Sequence, residues 1–235
     1  MRQVKSEAHR WVWFLAVLTF RALTASLIGA LIGALIGAGT ALVQPYVSAP
    51  WAALVNSSSP WLLGGFIAGA LHQRRNPAAL AGLATLLVEV GAYFATADAL
   101  NIAVMHDYVL FWTVCALAGG PVAGCAGWAW RWGGPRARGF GAAFLPGSFI
   151  AEAFGAYGLR LHYEPGLTLF LLIGAVLFAL MAWPGAGLGF IPAPARGPVV
   201  LAWTAAFAVG GILIYGPLLN AVVGIYSGGV YFAHP

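Results

Sequence analysis

Charge is scarce along this chain. Lys, Arg, Asp and Glu make up 7% of its 235 residues, against 61% hydrophobic residues. A soluble domain usually carries about 25% charged residues, so too few are present to cover a globular surface. Acids are the rarer sign, 6 against 11 Lys and Arg, for a formal charge of +5. The basic residues lie in short loops between apolar runs, where the orientation rule of membrane proteins explains them. No nucleic-acid partner is implied.

Cysteine is nearly absent. Cys115 and Cys125 fall in one apolar run. Ten residues of helix separate them by about 15 Å, beyond disulfide reach, so they read as inert core thiols. No Cys/His zinc spacing occurs, and His106, Asp107, His162, Glu164 and His234 match no ligand motif. No metal is assigned, and nothing identifies a cofactor. Gly-x-Ser-x-Gly, His-Glu-x-x-His and Walker patterns are missing too. An NTP-driven step would need a partner subunit.

What remains is a series of long hydrophobic runs, each set against the roughly 20 residues that span hydrocarbon. Seven are expected, over 22–43, 51–71, 78–97, 108–130, 140–159, 167–183 and 199–219. The second is the weakest. Asn56-Ser57-Ser58-Ser59-Pro60 reads as a helix cap with Pro in the first turn, and 60–71 alone is too short to cross. Either 50–55 contributes or the helix is broken. Arg2, Lys5 and Arg10 precede the first run like the start of a signal peptide, but that run continues to Val43. It is too long for a cleavable segment and reads as an uncleaved span.

The expected fold is therefore an all-α polytopic transmembrane helix bundle. Residues 1–21 form a basic, aromatic interfacial segment, 22–220 the transmembrane domain, and 221–235 an aromatic Gly-rich tail. With the N-terminus inside, Arg2, Lys5, Arg10, Arg74, Arg75, Arg131, Arg136, Arg138 and Arg196 all fall inside, nine of the eleven Lys and Arg. Asp98, Asp107 and Glu164 fall outside with Arg160. Seven spans, N-in and C-out, follow from that asymmetry.

Two stretches repeat an order. Gly64-Gly65-Phe66-Ile67-Ala68-Gly69 and Gly119-Gly120-Pro121-Val122-Ala123-Gly124 both read GGxxAG. Each precedes a basic loop and then a span with one glutamate. Glu89 is followed by Gly91-Ala92-Tyr93, and Glu152 by Gly155-Ala156-Tyr157. Duplicated hairpins over 60–98 and 109–159 are expected, with a third, degenerate one over 166–220. The Glu-to-Tyr spacing is four residues in the first and five in the second.

Glu89 and Glu152 carry the functional reading. A charge near mid-span costs at least a few kcal/mol and normally faces the bundle interior or a wet cavity. No Lys or Arg lies at matching depth, which leaves a cationic or polar ligand, a proton, or a neutral structural acid. Tyr93 and Tyr157, about one turn on, are candidate walls with Trp112. Asn56 lies at the outer mouth. Gly29, Gly33 and Gly37, after Ala25, form a small-xxx-small stripe. Such a stripe admits another helix closely, from this chain or from a partner membrane subunit.

Several pieces resemble a family of polytopic bacterial membrane proteins known as a domain of unknown function. They are Asn56-Ser57 with Pro60-Trp61 leading to Phe66 and Ala68-Gly69, then Ala118-Gly119-Gly120-Pro121 with Gly124, and Leu145-Pro146-Gly147 with Phe149 and Ala151-Glu152. The resemblance covers roughly 55 to 160. It implies a multi-pass protein of a cell membrane, the bacterial cytoplasmic membrane, and brings no activity. A weaker similarity is to the substrate-binding subunits of energy-coupling-factor vitamin transporters. In those, small-xxx-small first helices dock to a partner and six spans replace seven.

Together these point to a transporter or solute-binding transporter subunit that takes a small solute or cation at the midplane. Glu89 and Glu152 would be its anchors. A structural or assembly subunit of a larger membrane complex is the first alternative. A membrane enzyme on a lipid-linked substrate is the second, and it requires the two acids to meet as an acid–base pair.

Overall fold

The computed structural model describes residues 2–55, 57–102, 106–182 and 197–231. Every regular element among them is helical. In order these are α1 (Arg2–Val43) with a 3-10 turn (Gln44–Tyr46), α2 (Ala52–Val55), α3 (Ser58–Ala70), α4 (Arg75–Ala99) and α5 (His106–Trp132). Then come α6 (Pro135–Glu152) continuing into a π-helical turn (Ala153–Gly158), α7 (Glu164–Ala182) and α8 (Gly197–Tyr231).

Five stretches are long and apolar enough to cross a membrane: Leu23–Tyr46, Arg75–Ala99, His106–Trp132, Glu164–Ala182 and Gly197–Pro217. They fit a multi-pass membrane protein. The second expected run is broken into α2 and α3. The 13 residues of α3 rise only about 20 Å, against about 30 Å of hydrocarbon. α1 runs unbroken from Arg2 and so takes in the basic, aromatic segment. α8 continues past Leu219 to Tyr231.

Helix packing follows the logic of lipid, with small residues inward and large ones outward. On α1, Gly29, Gly33 and Gly37 are buried, while Leu27, Leu31 and Leu35 on the far face are 59–70% exposed. The glycine face lies on α4. A β-carbon on Gly33 would overlap the Thr85 carbonyl oxygen, and one on Gly37 that of Glu89. Of the two partners left open for this stripe, the structure takes the internal one. A second subunit cannot also use these glycines while α4 covers them.

α3 sits centrally, packed on α1, α4, α5 and α6. Its GGxxAG segment meets that of α5, since a β-carbon on Gly69 would fall on the Gly124 backbone. α6 packs on α7 and α8, whose Leu172, Val176, Leu201, Val209 and Leu213 point outward.

Candidate functional site

The break between α2 and α3 is the most polar place in the interior. Ser57 is the N-cap residue of α3, with extended backbone, yet its side chain makes no capping bond. Its hydroxyl turns back to the Ala53 carbonyl at 2.6 Å and to the Tyr157 hydroxyl. The cap expected from the local sequence comes instead from Glu152, about 94 residues away. The Ser58 amide donates to Glu152 Oε1 at 3.1 Å and the Ser59 amide to Oε2 at 2.9 Å. The Ser58 hydroxyl reaches Oε2 at 3.5 Å and the Tyr215 hydroxyl of α8 at 2.7 Å.

A carboxylate on the first amides of a helix satisfies donors that have no partner within that helix and meets the positive end of its dipole. Bonds to a charged acceptor are each worth about 1.5–3 kcal/mol. Glu152 is 4% exposed. It pins the start of α3 to α6 and α8 inside the bundle.

Glu89 is surrounded differently. It is fully buried, and among the described residues neither carboxyl oxygen has a hydrogen-bond partner. Its neighbour is Gly64 of α3, where an added β-carbon would come 2.9 Å from Oε2 and 3.2 Å from Ile36 of α1. Thr85, one turn earlier on α4, also has an unpartnered hydroxyl.

Glu89 and Glu152 meet different parts of α3. Glu152 lies at Ser58 and Ser59, Glu89 at Gly64, about 8 Å further along α3. Among the described residues no hydrogen bond links them.

Two small voids lie beside Trp61. One void of about 20 Å³ is lined by Val55, Ser57, Trp61, Tyr93, Tyr108 and Trp112. A second, of about 60 Å³, shares Trp61 and Trp112 and is otherwise lined mainly by Leu62, Leu86, Val90 and Ala116. A water needs about 10–15 Å³ and polar partners, so the first has room for one water and the second suits a small apolar group. Trp61 lies 5.4 Å from the Tyr93 ring and 5.6 Å from that of Trp112, and Tyr108 meets Trp112 edge-on at 6.0 Å. Such offset and edge contacts hold aromatic walls in place.

Of the expected wall residues, Tyr93 and Trp112 line this recess. Tyr93 also donates to Gln44 at 2.7 Å, tying α4 to the end of α1. Tyr157 lies on the other side of the α2–α3 break. It packs on Phe170 and donates to the Ala53 carbonyl at 3.2 Å, so it supports the recess through Ser57. Asn56 lies outside the described residues. Sequence reasoning missed Tyr108 and Tyr215. Tyr108 shares a helix face with Trp112, four residues on, and was legible; nothing in the sequence marks Tyr215.

Comparison with known proteins gives one match. A model described as a family of unknown function (DUF6518) covers residues 17–221. No curated protein and no solved structure matches the chain.

Proposed function

The chain belongs to that family of unknown function, and from this premise we propose that it is a transporter, or the solute-binding subunit of one. Its site is the aromatic recess at the α2–α3 break. The carrying observation is a helix that starts inside the bundle, with its first amides on Glu152, next to a recess walled by Trp61, Tyr93, Tyr108 and Trp112. Discontinuous helices with inward-facing ends are how many transporters build sites at depth. Irregular backbone is tolerated there because it is buried in protein or lines a cavity. Glu152 acts here by holding the break open to the recess, and Glu89 stands apart from the ligand.

The same reading counts seven crossings, N-in and C-out, with α2 plus α3 and α6 plus its π turn joining the five long apolar helices. It is supported by the collection of Arg74, Arg75, Arg131, Arg136 and Arg138 where α4 and α6 begin and α5 ends. Duplicated hairpins are supported by the π turn. Its i→i+5 pitch, seen in the Leu159 amide on the Phe154 carbonyl at 2.9 Å, sets Tyr157 one turn past Glu152 just as four α-helical residues set Tyr93 past Glu89.

Mass spectrometry of small molecules retained by the purified protein tests the role. The wild type is expected to retain a solute that Trp112→Ala loses. If both are empty, and the chain purifies in mild detergent with a stoichiometric membrane partner, the reading falls and the assembly-subunit alternative replaces it.

A further inference from the structure

At the end of the bundle where α4, α6 and α8 begin and α5 ends, a recess of about 440 Å³ opens between the helices. Two cations line it: Arg75, the first residue of α4, and Arg136, in the first turn of α6. Behind them stand Trp128, Phe140 and Trp203. Among the described residues no carboxylate lines the recess.

Its walls are fixed. Trp128 donates to the Gln73 carbonyl at 3.0 Å, binding α5 to the α3–α4 link. Phe140 and Trp203 meet edge-on at 5.3 Å, binding α6 to α8. The neighbouring arginines are turned to the protein itself. Arg131 reaches the Ala70 carbonyl at 3.5 Å and lies over Trp132, and Arg138 reaches the Gly133 carbonyl at 3.3 Å. Arg75 and Arg136 are both exposed.

We propose that this recess binds an anionic phospholipid, with the phosphate held by Arg75 and Arg136 and the glycerol and upper acyl carbons lying on Trp128, Phe140 and Trp203. Two cations over an aromatic floor call for a ligand that joins an anion to hydrocarbon. A free phosphate leaves the rings uncovered, and a zwitterionic lipid brings no net counter-charge to the guanidiniums. Basic pockets between spans are where anionic headgroups are recognised, and guanidinium matches phosphate in geometry as well as charge. This site is separate from the aromatic recess and does not rest on the transport reading.

Native mass spectrometry of the full chain in detergent tests the proposal. The protein is titrated with phosphatidylglycerol, with phosphatidylcholine of the same acyl chains, and with inorganic phosphate. Phosphatidylglycerol is expected to bind about 25-fold more tightly than phosphatidylcholine, roughly five-fold per arginine. The Arg75→Gln, Arg136→Gln double variant should lose that preference. Arg74→Gln with Arg160→Gln, which removes equal charge outside the recess, should keep it. If the first double variant fails to fold, Arg136→Gln alone carries the test, with a loss of about five-fold. Equal binding of the two lipids, or equal loss in both double variants, overturns the proposal. So does displacement of phosphatidylglycerol by an equal concentration of inorganic phosphate, which reassigns the recess to a soluble anion.

Discussion

Glu89 and Glu152 occupy like positions in sequence, a lone acid in an apolar run followed by Gly-Ala-Tyr, and unlike positions in space. Glu152 ends α6 against the first amides of α3 and takes two of them. Glu89 lies mid-helix in α4, under α1 and against Gly64, with nothing described to bond to. One acid is an organising contact; the other is a polar group carried within a tight helix seam. A carboxyl in a span is therefore not a site in itself. What it does depends on whether free backbone donors come opposite it.

The largest effect should come from the seam over Glu89. Gly37→Val drives a side chain into the Glu89 carbonyl and should cost about 3 kcal/mol or more, seen as loss of monodisperse protein on size exclusion. Glu152→Ala comes next. It strands two buried amides and should cost about 3 kcal/mol in detergent unfolding.

The same isosteric change at both acids sharpens the contrast. Glu152→Gln should lose about 1.5 kcal/mol, because the amide NH2 faces a donor where a carboxylate oxygen accepted. Glu89→Gln should stay within about 0.5 kcal/mol of wild type. Equal losses would mean that Glu89 has a partner after all. Tyr157→Phe should cost about 1 kcal/mol or less, from the bonds to Ser57 and Ala53. It should weaken solute retention as well if the recess depends on Ser57.

The helices were legible because hydrophobic runs of fixed length leave few alternatives in lipid. The Gly29, Gly33, Gly37 stripe was legible as a packing face because no other residue lets backbones come so close. Its partner was not, since Thr85 and Glu89 carry no complementary pattern. Ser57 to Ser59 read as a local cap, which is the usual meaning of serine before an apolar run. The structure turns Ser57 backwards and brings the cap from α6. Tyr93 was singled out by its place one turn past Glu89, and it lines the recess with Trp112. Tyr157, expected beside them, reaches the recess through its bond to Ser57, a contact across 100 residues that no local pattern announces.

By itself the sequence determined that the chain is helical, apolar along several long segments, closely packed through glycine and provided with two acids in its apolar runs. Period and composition decide such properties, since each depends on residues within a turn or two of one another. Only the tertiary structure decided that α3 starts inside the bundle on Glu152, that Glu89 lies against Gly64, and that Trp61, Tyr108 and Trp112 enclose a recess. Those contacts join residues roughly 30 to 95 positions apart, and the direction in which helices cross, not the local pattern, selects them.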